Sequence, residues 1–152
     1  MKKKQTVCVD LDGVLAQYKS WEGVENIGDP IHGASSFLKT LRENYFVMIF
    51  TCRVSPQFNP GYSARTLLEH VKGWLDRHEL EYDAVYQGQG KPLATAYIDD
   101  RAINCQPMLS RVHYYSALHL VDQLARKTEA ATDGDYIEEL AKLGVSPAGE
   151  SL

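Results

Sequence analysis

Two aspartates, Asp10 and Asp12, stand two residues apart in the run VCVDLDGVLAQY, between the apolar residues Val7–Val9 and Val14–Leu15. Burying a carboxylate costs several kcal/mol unless a partner compensates, so acids in such a place call for a chemical reason. A second acidic pair, Asp99 and Asp100, ends the run ATAYIDD, while Thr51 closes YFVMIFT and Lys91 sits in GQGKP. Four carboxylates meeting in one crevice repel each other, and a divalent cation relieves the repulsion. All-oxygen ligands suit Mg²⁺, which commonly completes its shell with water and a substrate phosphate. A lysine ammonium and a threonine hydroxyl would give charge and a donor to the same phosphate oxygens. Gly13 permits a tight turn that lets backbone N–H groups approach the anion. Arg53, two past Thr51, falls on the same side of a continuing strand; it is a candidate for phosphate, for a substrate carboxylate, or for a salt bridge. The set reads as a phosphoryl-transfer site, provided the fold brings its members together.

The elements that would do so alternate along the chain. Val7–Val9 reads as a strand, GASSFLKTLREN as a helix carrying Ala34, Phe37, Leu38 and Leu41, and Tyr45–Thr51 as a fully buried strand. RVSPQFNPGY reads as a loop, and SARTLLEHVKGWLDRH as a helix with Leu67, Leu68, Val71, Trp74 and Leu75 on one face. YDAVYQ is a strand, GQGKP a turn and ATAYIDD another strand. RVHYY reads as a short last strand, with Ser116 capping a helix after it. Strands alternating with helices imply a parallel sheet covered on both faces, a three-layer α/β/α architecture. Ligands of such sheets bind outside the carboxyl ends of the strands. Asp10 and Asp12, Thr51, and Asp99 with Asp100 all fall at such ends.

Composition narrows the function classes. A chain of 152 residues fits one domain with a real core, and a net charge of −4 argues against binding duplex nucleic acid. No apolar run approaches the roughly 20 residues of a membrane span, and Asp10 and Asp12 interrupt the leader-like opening MKKKQTVCVDLDGVL. No membrane partner is expected. Cys8, Cys52 and Cys105 are odd in number with no Cys-x-x-Cys, so they read as buried thiols of a cytoplasmic protein. The five histidines show no ligand spacing.

The four sites also carry a resemblance. DLDGVLA resembles the first motif of the haloacid dehalogenase (HAD) superfamily, D-x-D-G-x-[LVT], and MIFT the second, a hydrophobic strand ending in Thr or Ser. Lys91 matches the lysine of the third motif and YIDD the acidic pair of the fourth, in order over residues 5–125. The resemblance implies a HAD-like Rossmannoid domain over 1–127, with a helical extension and tail over 128–152. It implies that Asp10 is the nucleophile, giving an aspartyl-phosphate, and that Asp12 is the acid and then the base. Thr51 and Lys91 would bind the phosphoryl oxygens, Lys91 also restraining Asp10. Mg²⁺ would be held by Asp10, the backbone carbonyl of Asp12, and Asp99, with Asp100 ligating directly or through water.

Residues 17–33 are too few for more than a flap, and residues 54–90 are filled by a loop, a helix and a strand, so the chain resembles members with little or no cap domain. Such members accept large substrates at an open site or close it with a partner subunit, as a homo-oligomer would. VDLDGVLAQY is similar to the opening of 5′-deoxyribonucleotidases, and KPLATAYIDDRAI to small HAD proteins of bacteria and phages. The expected activity is therefore a Mg²⁺-dependent phosphomonoesterase acting on a nucleotide or other small phosphate. The alternatives are a catalytically silent phosphate- or nucleotide-binding protein of the same fold, or a phosphatase of polynucleotide ends. A receiver domain shares the residue types, but no lone Asp ends the YFVMIF strand here.

Overall fold

Strand β1 (Thr6–Val9) is the second strand from one edge of a four-stranded, all-parallel sheet of order β3-β2-β1-β4 in a computed structural model that describes residues 3–130. Its neighbours are β2 (Phe46–Ile49) and β4 (Ala96–Ile98), and β3 (Ala84–Val85) pairs with β2. Helix α1 (Ala34–Asn44) joins β1 to β2, and α2 (Ala64–Arg77) joins β2 to β3. The fold is α/β. Steps β1-α1-β2 and β2-α2-β3 move in one direction across the sheet, and right-handed crossovers then put both helices on one face. The core agrees: alternate residues Val7, Val9, Val47 and Ile49 pack with Ala34 and Leu38 of α1 and with Val71, Trp74 and Leu75 of α2.

The run Tyr45–Thr51 is less buried than its composition suggests. Val47 and Ile49 are buried, but Met48 is half-buried and Phe46 is 37% exposed, because only one face of β2 lies under α1 and α2. Phe37, on the expected apolar stripe of α1, is also exposed. The larger correction is at RVHYY, which is not a strand: helix α3 (Val112–Ala130) begins there, and Ser116 lies inside it instead of capping it. The β-branched and aromatic residues that suggested a strand express a context-dependent preference. Of the cysteines only Cys8 is buried; Cys52 and Cys105 are exposed.

Among the described residues the chain divides into two compact units, one of residues 3–18 and 22–100, the other of residues 19–21 and 101–130. All the candidate site residues belong to the first. The expected extension beyond residue 130 lies outside the described residues. Among the described residues no helix is long and apolar enough to cross a membrane.

Local chemistry sets the ends of α2. The Ser63 side chain caps its start by accepting from Thr66 N–H (3.1 Å). At its end Leu80 N–H reaches Leu75 O (3.0 Å) and Glu79 N–H reaches Asp76 O (3.2 Å), the paired bonds of a Schellman motif. That motif puts Glu79 at φ 55°, a left-handed conformation that favours glycine. Glu79→Gly should therefore stabilise the protein by about 0.5–1 kcal/mol, measured as a rise in the urea midpoint at unchanged slope. A lower midpoint would mean that the Glu79 side chain contributes more than its backbone strain costs.

Candidate active site

The register of the sheet levels the strand ends. Val9 is opposite Ile49 on one side and Ile98 on the other, so Asp10 comes level with Phe50 and Asp99. Two backbone bonds fix this: Asp10 N–H to Ile98 O and Phe50 N–H to Val9 O, both 2.9 Å. One carboxylate oxygen each from Asp10, Asp99 and Asp100 lies within 4.8 Å of the others. Ligands about 2.1 Å from a single Mg²⁺ stand up to about 4.2 Å apart, so small side-chain rotations let these three share an ion. The donor set, all hard oxygen, fits Mg²⁺.

Desolvation and charge crowding act together at Asp10. Its carboxyl is pushed up from 3.8 to about 7, chiefly by desolvation, with the charges of Asp99, Asp12 and Asp100 adding to the effect. The Leu11 N–H, donating to Asp10 Oδ1 at 2.7 Å, opposes the shift and orients the carboxylate.

Asp12 is placed differently from the other three acids. Its carboxylate belongs to Arg53: Nε donates to Oδ2 at 2.7 Å and Nη2 to Oδ1 at 3.0 Å. Of the roles weighed for Arg53, the structure takes the salt bridge. The side chain is 1% exposed, and its remaining N–H groups reach the carbonyls of Gly23 (3.2 Å), Val24 (3.3 Å) and Asn26 (3.2 Å). All five guanidinium donors thus find acceptors within the chain, which leaves none to recognise a phosphate.

Thr51 follows β2 and is buried; its Oγ1 accepts from Arg53 N–H at 3.3 Å and caps the 3₁₀ turn Cys52–Val54. The hydroxyl hydrogen still has an acceptor to find, as phosphoryl binding requires. Gly13 makes the expected tight turn, but its own N–H stays within that turn, donating to Ala16 O at 2.8 Å, so it is not offered to an anion. What demands glycine is the positive φ of 79°, together with the Asp100 carboxylate: a Cβ at residue 13 would stand 2.7 Å from Asp100 Cγ. Lys91 is exposed, and its ammonium lies 4.4 Å from the centroid of the Tyr97 ring instead of against Asp10. The ring face attracts the cation, and Tyr97 Oη also donates to Pro92 O, holding the GQGKP turn on β4.

Some neighbours were not foreseen from the sequence. Asn59, buried, donates from Nδ2 to Ser55 O (2.8 Å), Cys52 O (3.2 Å) and Arg53 O (3.3 Å), and so shapes the turn that carries Arg53. Its one sequence signal is the Asn-Pro pair, a turn former. Trp74 Nε1 donates to Gly28 O at 3.0 Å, tying α2 to the flap. Although Cys52 is exposed as a residue, its thiol faces Asp12 and Asp10 and is pushed up to about 11, first by desolvation at the sulfur and then by those charges, which makes it a poor nucleophile. No protein-family model matches the chain, and no curated protein is significantly similar to it; the HAD resemblance rests on its motifs alone.

The shift at Asp10 has a thermodynamic consequence. Between its ordinary value of 3.8 and its folded value of about 7, the native state keeps a proton that the unfolded chain has lost. Its contribution to stability is full below 3.8 and disappears as pH rises through about 7. In excess chelator, the melting temperature should therefore fall between pH 5 and pH 8 more in wild type than in Asp10→Asn, whose amide does not titrate. Equal falls in the two proteins would remove Asp10 as the source.

Proposed function

We propose that the chain is a Mg²⁺-dependent phosphomonoesterase of HAD type, acting on a nucleotide or other small phosphate through an aspartyl-phosphate on Asp10. The observation that carries the reading is the approach of the Asp10, Asp99 and Asp100 carboxylates at adjacent strand ends, with Asp12 two residues beyond the first. Asp10, Asp99 and Asp100 would hold the ion with the Asp12 carbonyl, and a bound Mg²⁺ would neutralise charge on the acids and on the phosphoryl group. The same reading takes the fold to be a three-layer α/β/α sandwich, with a further layer over the sheet face opposite α1 and α2, and a cytoplasmic location.

In the reaction, an Asp10 carboxylate oxygen attacks phosphorus and the bond from phosphorus to the ester oxygen breaks. Asp12 gives its proton to the departing alkoxide. Asp12, now a carboxylate, takes a proton from water as the water oxygen attacks the aspartyl-phosphate; the phosphorus–Asp10 bond breaks and phosphate leaves. The Thr51 hydroxyl and the Lys91 ammonium stabilise the equatorial oxygens, Lys91 moving from the Tyr97 ring on its flexible stem.

A silent phosphate- or nucleotide-binding protein is the second reading. It is favoured by Lys91 resting on Tyr97 and by the engagement of both Asp12 oxygens with Arg53.

Hydrolysis of an aryl phosphate and of a nucleoside monophosphate, with Mg²⁺ and with excess chelator, separates the two. The phosphatase reading predicts activity only with Mg²⁺. It also predicts that Asp12→Asn loses about 10²–10⁴-fold in the first turnover of the alkyl ester, in which the phosphoenzyme forms, and far less in the first turnover of an aryl ester whose leaving group departs without a proton. Full activity in chelator would overturn the metal assignment. A wild type that binds vanadate with Mg²⁺ yet hydrolyses neither ester would favour the binding protein.

A further inference from the structure

We infer that Arg53 is a positioning residue: it holds the acid Asp12 and the backbone of residues 23–26 in one rigid block, so that this part of the flap is a fixed wall of the site and not a lid. The acid role of Asp12 rests on the function proposed above; the rigidity of the block does not.

The geometry leads outward from a buried turn. Thr51 Oγ1 and Asn59 Nδ2 bind the backbone of Arg53 on its N–H and its carbonyl, at 3.3 Å each, which fixes the base of the side chain. The guanidinium then meets Asp12 with two parallel bonds of 2.7 and 3.0 Å, the fork geometry that a lysine ammonium cannot reproduce. Its other N–H groups take the Gly23, Val24 and Asn26 carbonyls. Val24 is itself buried. A buried cation with every donor engaged has no low-cost alternative rotamer, because any turn of the plane strands several N–H groups at once.

The flap is held at further points. Gln17 N–H donates to Asp29 O and Ile31 N–H to Leu15 O, both at 2.8 Å, closing its base, and Trp74 holds the Gly28 carbonyl. A segment fastened at Gly23, Val24, Asn26, Gly28 and Asp29 is poorly suited to swing. What the clamp supplies is a fixed direction for the Asp12 carboxylate, which keeps a second lone pair on each oxygen for the proton it gives and takes, and proton transfer is sensitive to that direction. Arg53 therefore acts through Asp12 and touches no substrate.

The test uses the full-length protein, Arg53→Lys, Asp12→Asn and the double variant. Turnover is measured on a nucleoside monophosphate and an aryl phosphate with Mg²⁺, and amide hydrogen exchange is followed over residues 22–29. Arg53→Lys should lower the first-turnover rate on the alkyl ester by about 100-fold, with KM and the first-turnover rate on the aryl ester within a few-fold of wild type. It should cause no further loss in the Asp12→Asn background, and exchange at 22–29 should quicken while that of β2 is unchanged. Additive losses, or equal losses on both esters with a raised KM, would make Arg53 a substrate contact or a purely structural residue. Unchanged exchange would show that Arg53 does not hold the wall. Should Arg53→Lys fail to fold, the Arg53 Nε–H resonance of wild type and Asp12→Asn serves instead. Slow solvent exchange in wild type and faster exchange in Asp12→Asn support the clamp, and exchange as fast as that of a solvated arginine overturns it. A wild type inactive on both esters removes the acid role along with the proposed function, and the exchange measurements then decide the clamp by themselves.

Discussion

Strand β1 is hydrogen-bonded to a parallel neighbour on each edge, and the chemistry of the molecule depends on that placement. Parallel pairing makes all strands end on one side. The register that pairs Val9 with both Ile49 and Ile98 then puts the residues after each strand side by side. Asp10 is the middle one. Shifting either neighbour by one residue would turn Val47 and Ile49, or Ile98, away from the α1–α2 core and would separate Asp99 from Asp10. The hydrophobic pattern that buries the core is thus the same constraint that gathers the acids.

Gathering acids is unfavourable. Asp12 has a resident cation, Arg53, supplied by a turn that Thr51 and Asn59 hold in place. Asp10, Asp99 and Asp100 form the cluster, and the Asp10 carboxyl is pushed up to about 7, first by desolvation and then by the neighbouring acids. Like charges held together by a fold are what a divalent cation would relieve in the proposed function. Gly13 contributes by being small, since the Asp100 carboxylate occupies the space a side chain would take.

Most of the strands and helices that build the sheet were legible in the sequence because their signals are local. The period of α2, with Leu67, Val71, Trp74 and Leu75 buried, and the acids just after short apolar runs need no knowledge of the rest of the chain. The partners of those residues were less legible. Whether Arg53 meets a substrate or Asp12 depends on the carbonyls of Gly23, Val24 and Asn26, which reach it across about thirty residues of sequence. The Lys91 ammonium has a flexible stem, so its position on the Tyr97 ring is a matter of side-chain choice that spacing does not encode. RVHYY misled because Val, His and Tyr suit a strand only where a neighbouring strand pairs with them, and here they open α3. Gly13 was found for its conformation, while its second purpose required knowing where Asp100 lies.

The central claim is that Asp10 forms a covalent bond to phosphorus, and the most direct measurement is to look for that bond. Protein mixed with Mg²⁺ and an aryl phosphate, whose leaving group departs without a proton from Asp12, then quenched in acid and reduced with borohydride, should carry homoserine in place of Asp10 in the peptide spanning β1. The signal should be stronger in Asp12→Asn, whose intermediate lacks the base for its hydrolysis, and absent in Asp10→Asn. Release of phosphate by wild type with Asp10 unmodified in both wild type and Asp12→Asn would contradict the account and assign the attack to water or to another residue.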